Sequence, residues 1–79
     1  MTNVIYLRPG QPAPDERHVA VVVHRDISGT EKGYFYDSAE GDSGGAGPFD
    51  WLIKETMDRA ERFATDRRLS LIVVRSKTG

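Results

Sequence analysis

Four carboxylates, Asp37, Glu40, Asp42 and Asp50, stand between Gly33 and Ile53 with no lysine or arginine among them. Carboxylate oxygens crowded at this spacing suit a hard cation such as calcium or magnesium. The pattern stops short of a built site, because a calcium loop alternates its aspartates, turns at a glycine and closes on a glutamate twelve positions along. The two histidines, His18 and His24, share one side of a strand but stand about 20 Å apart at the rise of an extended chain, too far to hold one metal. They read as strand-end residues with exposed tips. No cofactor and no resident metal is expected.

Gly41-Asp42-Ser43-Gly44-Gly45 resembles the segment around the nucleophile of chymotrypsin-like serine proteases. That chemistry needs a histidine and a buried aspartate converged by two β-barrels, together with an oxyanion hole from the same scaffold. At 79 residues the chain is several times too short for it. The same loop runs toward an expected helix start, where backbone N–H groups hold phosphates. It carries no Gly-Lys-Ser/Thr and no third dinucleotide glycine, and its acids would repel an anion. The chain therefore reads as a non-enzyme.

Two other groups suit recognition. Trp51 projects to the polar side of the helix expected around it, and Tyr34 and Tyr36 share one sheet face opposite Phe35. Aromatic residues with polar tips carry binding energy when an interface desolvates them. At the other end, Arg67, Arg68, Arg75 and Lys77 outnumber the acids and offer a small anion-binding end. No aromatics are interleaved with them to stack bases, and dipole complementation at a helix end explains Arg67 and Arg68 equally well.

The elements that would position these groups follow from pattern. Asn3 to Leu7 is a short β-prone run, followed by a Pro-rich connection over 8–16. Arg17 to Arg25 holds three successive valines and is the strongest strand signal. Tyr34 to Tyr36 forms a third strand after a turn, and 38–47 is a Gly-rich acidic surface loop. A helix is expected over 48–67, with Gly47 as N-cap and Pro48 at its first position. Its apolar stripe is Phe49, Ile53, Thr56, Met57, Ala60, Phe63 and Ala64. Leu69 to Val74 is a near-continuous apolar strand, expected to run parallel to the third. The fold class is α+β, one small domain in the order β-β-β-α-β, with a four-stranded mixed sheet and one amphipathic helix on one face. Apolar residues at both parities of the second and last strands leave the other sheet face in need of cover, and a second copy is the simplest candidate.

With no cysteine and a net charge of −1, neither disulfides nor phosphate neutralisation organises this protein. Direct nucleic-acid binding is not expected, no run approaches the roughly 20 apolar residues that span a bilayer, and a cytoplasmic location is. The function these features imply is a non-catalytic protein-binding module. It would be a small adaptor or inhibitor docking on a larger, even nucleic-acid-handling, complex, as some phage-encoded proteins do. Its contacts would be Trp51, Tyr34 and Tyr36 beside Asp37, Glu40, Asp42 and Asp50. The alternative is a nucleic-acid-associated or anion-binding regulator using Arg67, Arg68, Arg75 and Lys77.

Overall fold

β-Branched residues build the middle of the sheet. In the computed structural model, which describes residues 2–8, 10–25, 27–41 and 51–76, the strands are β1 (Asn3–Tyr6), β2 (Val19–Arg25), β3 (Glu31–Asp37), β4 (Trp51–Leu52) and β5 (Leu71–Ser76). One helix, α1 (Ile53–Asp66), precedes β5. The spatial order is β1-β5-β2-β3-β4. β5 pairs parallel to both β1 and β2, and β3 pairs antiparallel to β2 and to β4. The fold is α+β as expected, with five strands rather than four. β5 runs antiparallel to β3, not parallel to it, because it docks on the far side of β2.

Strand parity divides the sheet cleanly. Val19, Val21, Ile72 and Val74 face α1 and form the core with Ala60 and Ala64, while Phe35, Met57 and Phe63 pack at its margin. The stripe read from helical periodicity is the buried one from Thr56 to Ala64. On the opposite face Ala20, Val22 and Val73 are also buried, each no more than 3% exposed. The sheet face expected to need a second copy is thus closed within one chain. Topology supplies a cover: the connection 7–18 joins β1 to β2, which are separated by β5, so it must cross over β5. Two right-handed crossovers running in opposite directions lie on opposite faces of a sheet, and α1 already occupies one.

The helix starts later than its capping signals suggested. Trp51 and Leu52 pair with Gly33 and Lys32 as β4, so the first helical residue is Ile53, and the helix is 14 residues long. Leu52 takes the N-cap position without a side-chain cap. What fixes the start is Thr56, wholly buried, whose Oγ1 lies 3.0 to 3.2 Å from the carbonyls of Leu52, Trp51 and Gly33. The expected cap at Gly47 and Pro48, and Phe49, lie outside the described residues.

The helix ends in a Schellman turn. The Arg68 N–H donates to the Thr65 carbonyl at 3.1 Å and the Leu69 N–H to the Ala64 carbonyl at 2.8 Å. Arg68 takes the left-handed position, at φ 58°, where glycine is the usual occupant. Arg68→Gly is expected to raise stability by about 0.5–1 kcal/mol, since relief of the Cβ clash outweighs the added freedom of the unfolded chain. Thermal unfolding of the two proteins checks this as an upward shift in midpoint.

Candidate functional site

The acidic and basic candidates meet each other. Asp37 ends β3 on the helix side of the sheet, opposite Val19, and is completely buried. Arg17, entering β2, donates Nε to Asp37 Oδ1 at 3.0 Å and Nη2 to Oδ2. Arg67, just past α1, donates Nη1 to Asp37 Oδ2 at 3.1 Å and to Glu40 Oε2 at 2.7 Å. The Ala39 N–H completes the shell at 2.9 Å from Oδ1. The hydrogen bonds from Arg17 hold the Asp37 carboxyl well below its ordinary value of 3.8 against the opposing effect of burial, with Ala39 and Arg67 adding to them. Asp37 in turn pushes the Arg17 guanidinium upward, and Glu40 foremost does so for Arg67. Two cations and two anions cancel. A carboxylate held ionised this firmly is a poor proton acceptor near neutrality, and it offers no charge to a partner.

His18 sits beside this cluster and is 5% exposed, not the exposed-tipped residue expected. Its Nδ1–H donates to the Glu16 carbonyl at 2.7 Å, and its backbone N–H donates to Ser38 Oγ at 2.9 Å. These bonds pin the strand entry rather than present an imidazole.

The aromatic candidates are distributed between the two sheet faces. Trp51 is a strand residue, not one on a polar helix face. Its ring stacks on Phe35 with centroids 5.6 Å apart, and the Arg59 guanidinium lies 4.8 Å from its centroid. Arg59 is held there by Glu55, 2.8 Å away. Tyr34 and Tyr36 do share the face opposite Phe35, as their spacing implied. Tyr34, however, is 7% exposed and packs near the His24 ring, while the Tyr36 hydroxyl accepts from Arg75 Nη2 at 3.1 Å. Of the seven anchors and acids read as one surface, Tyr34 and Asp37 are interior, and Asp42 and Asp50 lie outside the described residues. Of the basic set, Arg67 is committed to Asp37 and Glu40, Arg68 forms the helix stop, and Lys77 lies outside the described residues.

An apolar groove, which the sequence did not single out, lies at the carboxyl ends of β1, β5 and β2 beside the first half of α1. Its volume is about 320 Å³. Tyr6, Leu7, Val23, Ile53, Met57 and Val74 line it, and Glu31 and Arg75 stand at its rim. It exists because α1 lies mainly over β3 and β2, leaving the helix-side surface of β1 open. The signal for it was available in principle: crevices in sheets with parallel strands form at the strands' carboxyl ends, and Tyr6-Leu7 closes the first strand. A wider depression on the outer side of α1, lined by Asp58, Glu61, Arg62, Thr65 and Asp66, is the polar solvent face of the helix.

Among the described residues no group of three or more His, Asp or Glu side chains is placed to hold a metal, and no helix is long and apolar enough to cross a membrane. The chain matches no protein-family model, no curated protein and no solved structure.

Proposed function

We propose that this chain is a non-catalytic protein-binding module, a small adaptor or inhibitor, and that it receives an apolar side chain of its protein partner in the groove between α1 and the carboxyl ends of β1, β5 and β2. The groove itself carries the reading. Its volume of about 320 Å³ is at the small end for ligand pockets, a size that admits one or two side chains. Its apolar surface continues outward onto Tyr6, 71% exposed, which suits a protein-sized contact. Met57 gives the wall an unbranched, adaptable side chain. The rim carboxylate, Glu31, would orient the partner more than hold it. The proposed docking surface lies at the opposite end of the sheet from the Asp37 cluster. A basic partner groove would find Asp37 and Glu40 already engaged by arginines, so an apolar anchor suits this surface better than an acidic edge.

Partners recovered from nuclease-treated lysate on the immobilised chain should bind at least tenfold more weakly to Met57→Lys, a loss of about 1.4 kcal/mol. The lysine stem can lie along the wall while its ammonium sits in the groove mouth, so the thermal midpoint should hold within a few degrees. Equal affinity for the variant would remove the groove from the interface. Recovery of nuclease-sensitive material alone, with affinity falling steeply in salt, would favour phosphate contacts by the basic residues instead.

A further inference from the structure

β1 is an edge strand, and among the described residues its outer side carries none of the usual protection. The Asn3 N–H donates to the Ser70 carbonyl and the Leu7 N–H to the Val74 carbonyl, both at 2.8 Å. In a parallel ladder this spacing turns the odd residues of β1 toward β5 and the N–H and C=O of Val4 and Tyr6 outward. Sheet edges are normally blunted by charge, proline or a bulge. Asn-Val-Ile-Tyr has no charge and no proline, and its last two residues are among the exposed large hydrophobics of the protein. The opposite edge, β4, is only two residues long and leads straight into α1.

We infer that the β1 edge pairs with β1 of a second copy, antiparallel across a two-fold axis through Ile5. This goes beyond the adaptor reading and does not rest on it. The argument is self-complementarity. With Val4 opposite Tyr6 of the second copy, both outward residues of the strand exchange their N–H and C=O groups with the mate, giving four backbone hydrogen bonds. Ile5 then faces Ile5 as a non-hydrogen-bonded pair, with Cα atoms about 4.5 Å apart. On the helix side of the sheet Val4 meets Tyr6, so every facing pair on the axis is apolar. A register slipped by two sets Ile5 against Asn3 in one direction and Val4 against Arg8 in the other, and either loses that match. The product is a continuous ten-stranded sheet, built by an isologous contact that closes on itself. A four-residue edge is smaller than a stable dimer interface, so the dimer forms at high concentration and dissociates on dilution, with a dissociation constant on the order of 10 µM.

The chain has no cysteine of its own, so Ile5→Cys places a single thiol on the proposed axis, within disulfide reach of its mate. Under mild oxidation this variant should cross-link at least tenfold faster than Ala39→Cys, an exposed position remote from the edge. Tyr6→Pro removes an outward N–H, which an edge strand tolerates, and should shift sedimentation equilibrium to the 8.8 kDa monomer at all concentrations. A wild-type chain that stays monomeric at millimolar concentration, or an Ile5→Cys variant that cross-links no faster than the control, would overturn the proposal.

Discussion

Asp37→Ala is expected to destabilise the protein by about 2–4 kcal/mol, a large share of the 5–15 kcal/mol typical of a small domain. The carboxylate is fully buried and accepts from Arg17, Arg67 and the Ala39 N–H. Its removal takes away the group that joins the entry of β2, the end of β3 and the end of α1. The Arg17 and Arg67 side chains are 51% and 35% exposed, so they can rehydrate, which keeps the loss below that for an ion stranded in the interior. In urea the variant should show a lower midpoint at unchanged slope. The effect depends on pH with a definite sign. The folded carboxyl lies below its ordinary value of 3.8, so the unfolded chain takes up the proton first as pH falls. The contribution is therefore complete above roughly pH 5 and is lost progressively as pH drops through the unfolded value toward the folded one. The gap between wild type and Asp37→Ala should narrow over that interval. A gap that stays constant down to about pH 2 would show that Asp37 contributes packing rather than charge.

Gly33→Ala should cost about 2–3 kcal/mol for a different reason. A Cβ at Gly33 would stand 3.0 Å from the Val22 carbonyl oxygen and 3.2 Å from Thr56 Cγ2. The first neighbour is backbone of the central strand, and the second belongs to the residue that fastens α1 to β3 and β4. Moving either breaks hydrogen bonds that have no substitute in the interior. Gly33→Ala combined with Thr56→Ser relieves only the second clash, so the double variant should recover part of the loss relative to the sum of the single changes. Full additivity in chemical denaturation would mean that Thr56 Cγ2 does not feel the added methyl.

Local pattern carried much of the architecture. The triple valine, the aromatic triplet and the apolar run before the C-terminal end are all strands, and the 3.6-residue stripe from Thr56 to Ala64 is the buried side of α1. What pattern carried poorly was anything decided across the sheet. Gly47-Pro48 is a sound helix-start signal taken by itself, but Trp51 is drawn into a strand by Gly33 and by the stacked Phe35 ring, and this tertiary pairing sets the boundary at Ile53. The position of β5 between β1 and β2 depends on partners some 50 to 70 residues away, which no local period encodes. The candidate site failed for the same reason. Asp37 and Glu40 read as part of an acidic surface, Arg67 as part of a basic end and Arg17 only as a strand boundary, yet Asp37 and Arg17 share the strand parity of Val19, Val21 and Phe35. An acid and a base on the apolar parity of paired strands are a legible sign of an internal ion pair, and that sign was there to be used. The groove could not be seen without knowing how far α1 reaches across the sheet.

The placement of β5 has a further consequence, in time rather than space. The last of the five strands to be synthesised is flanked on both sides by earlier ones, with Ile72 aligned between Val4 and Val19. Until β5 leaves the ribosome, β1 has no neighbour and β2 has only its hairpin with β3, which is marginal when isolated. The parallel pairing of β1 must also close a loop spanning nearly the whole domain, an entropic cost met only when that pairing forms. The nascent domain therefore waits with an open apolar strand ahead of it, and folds as a unit once β5 arrives.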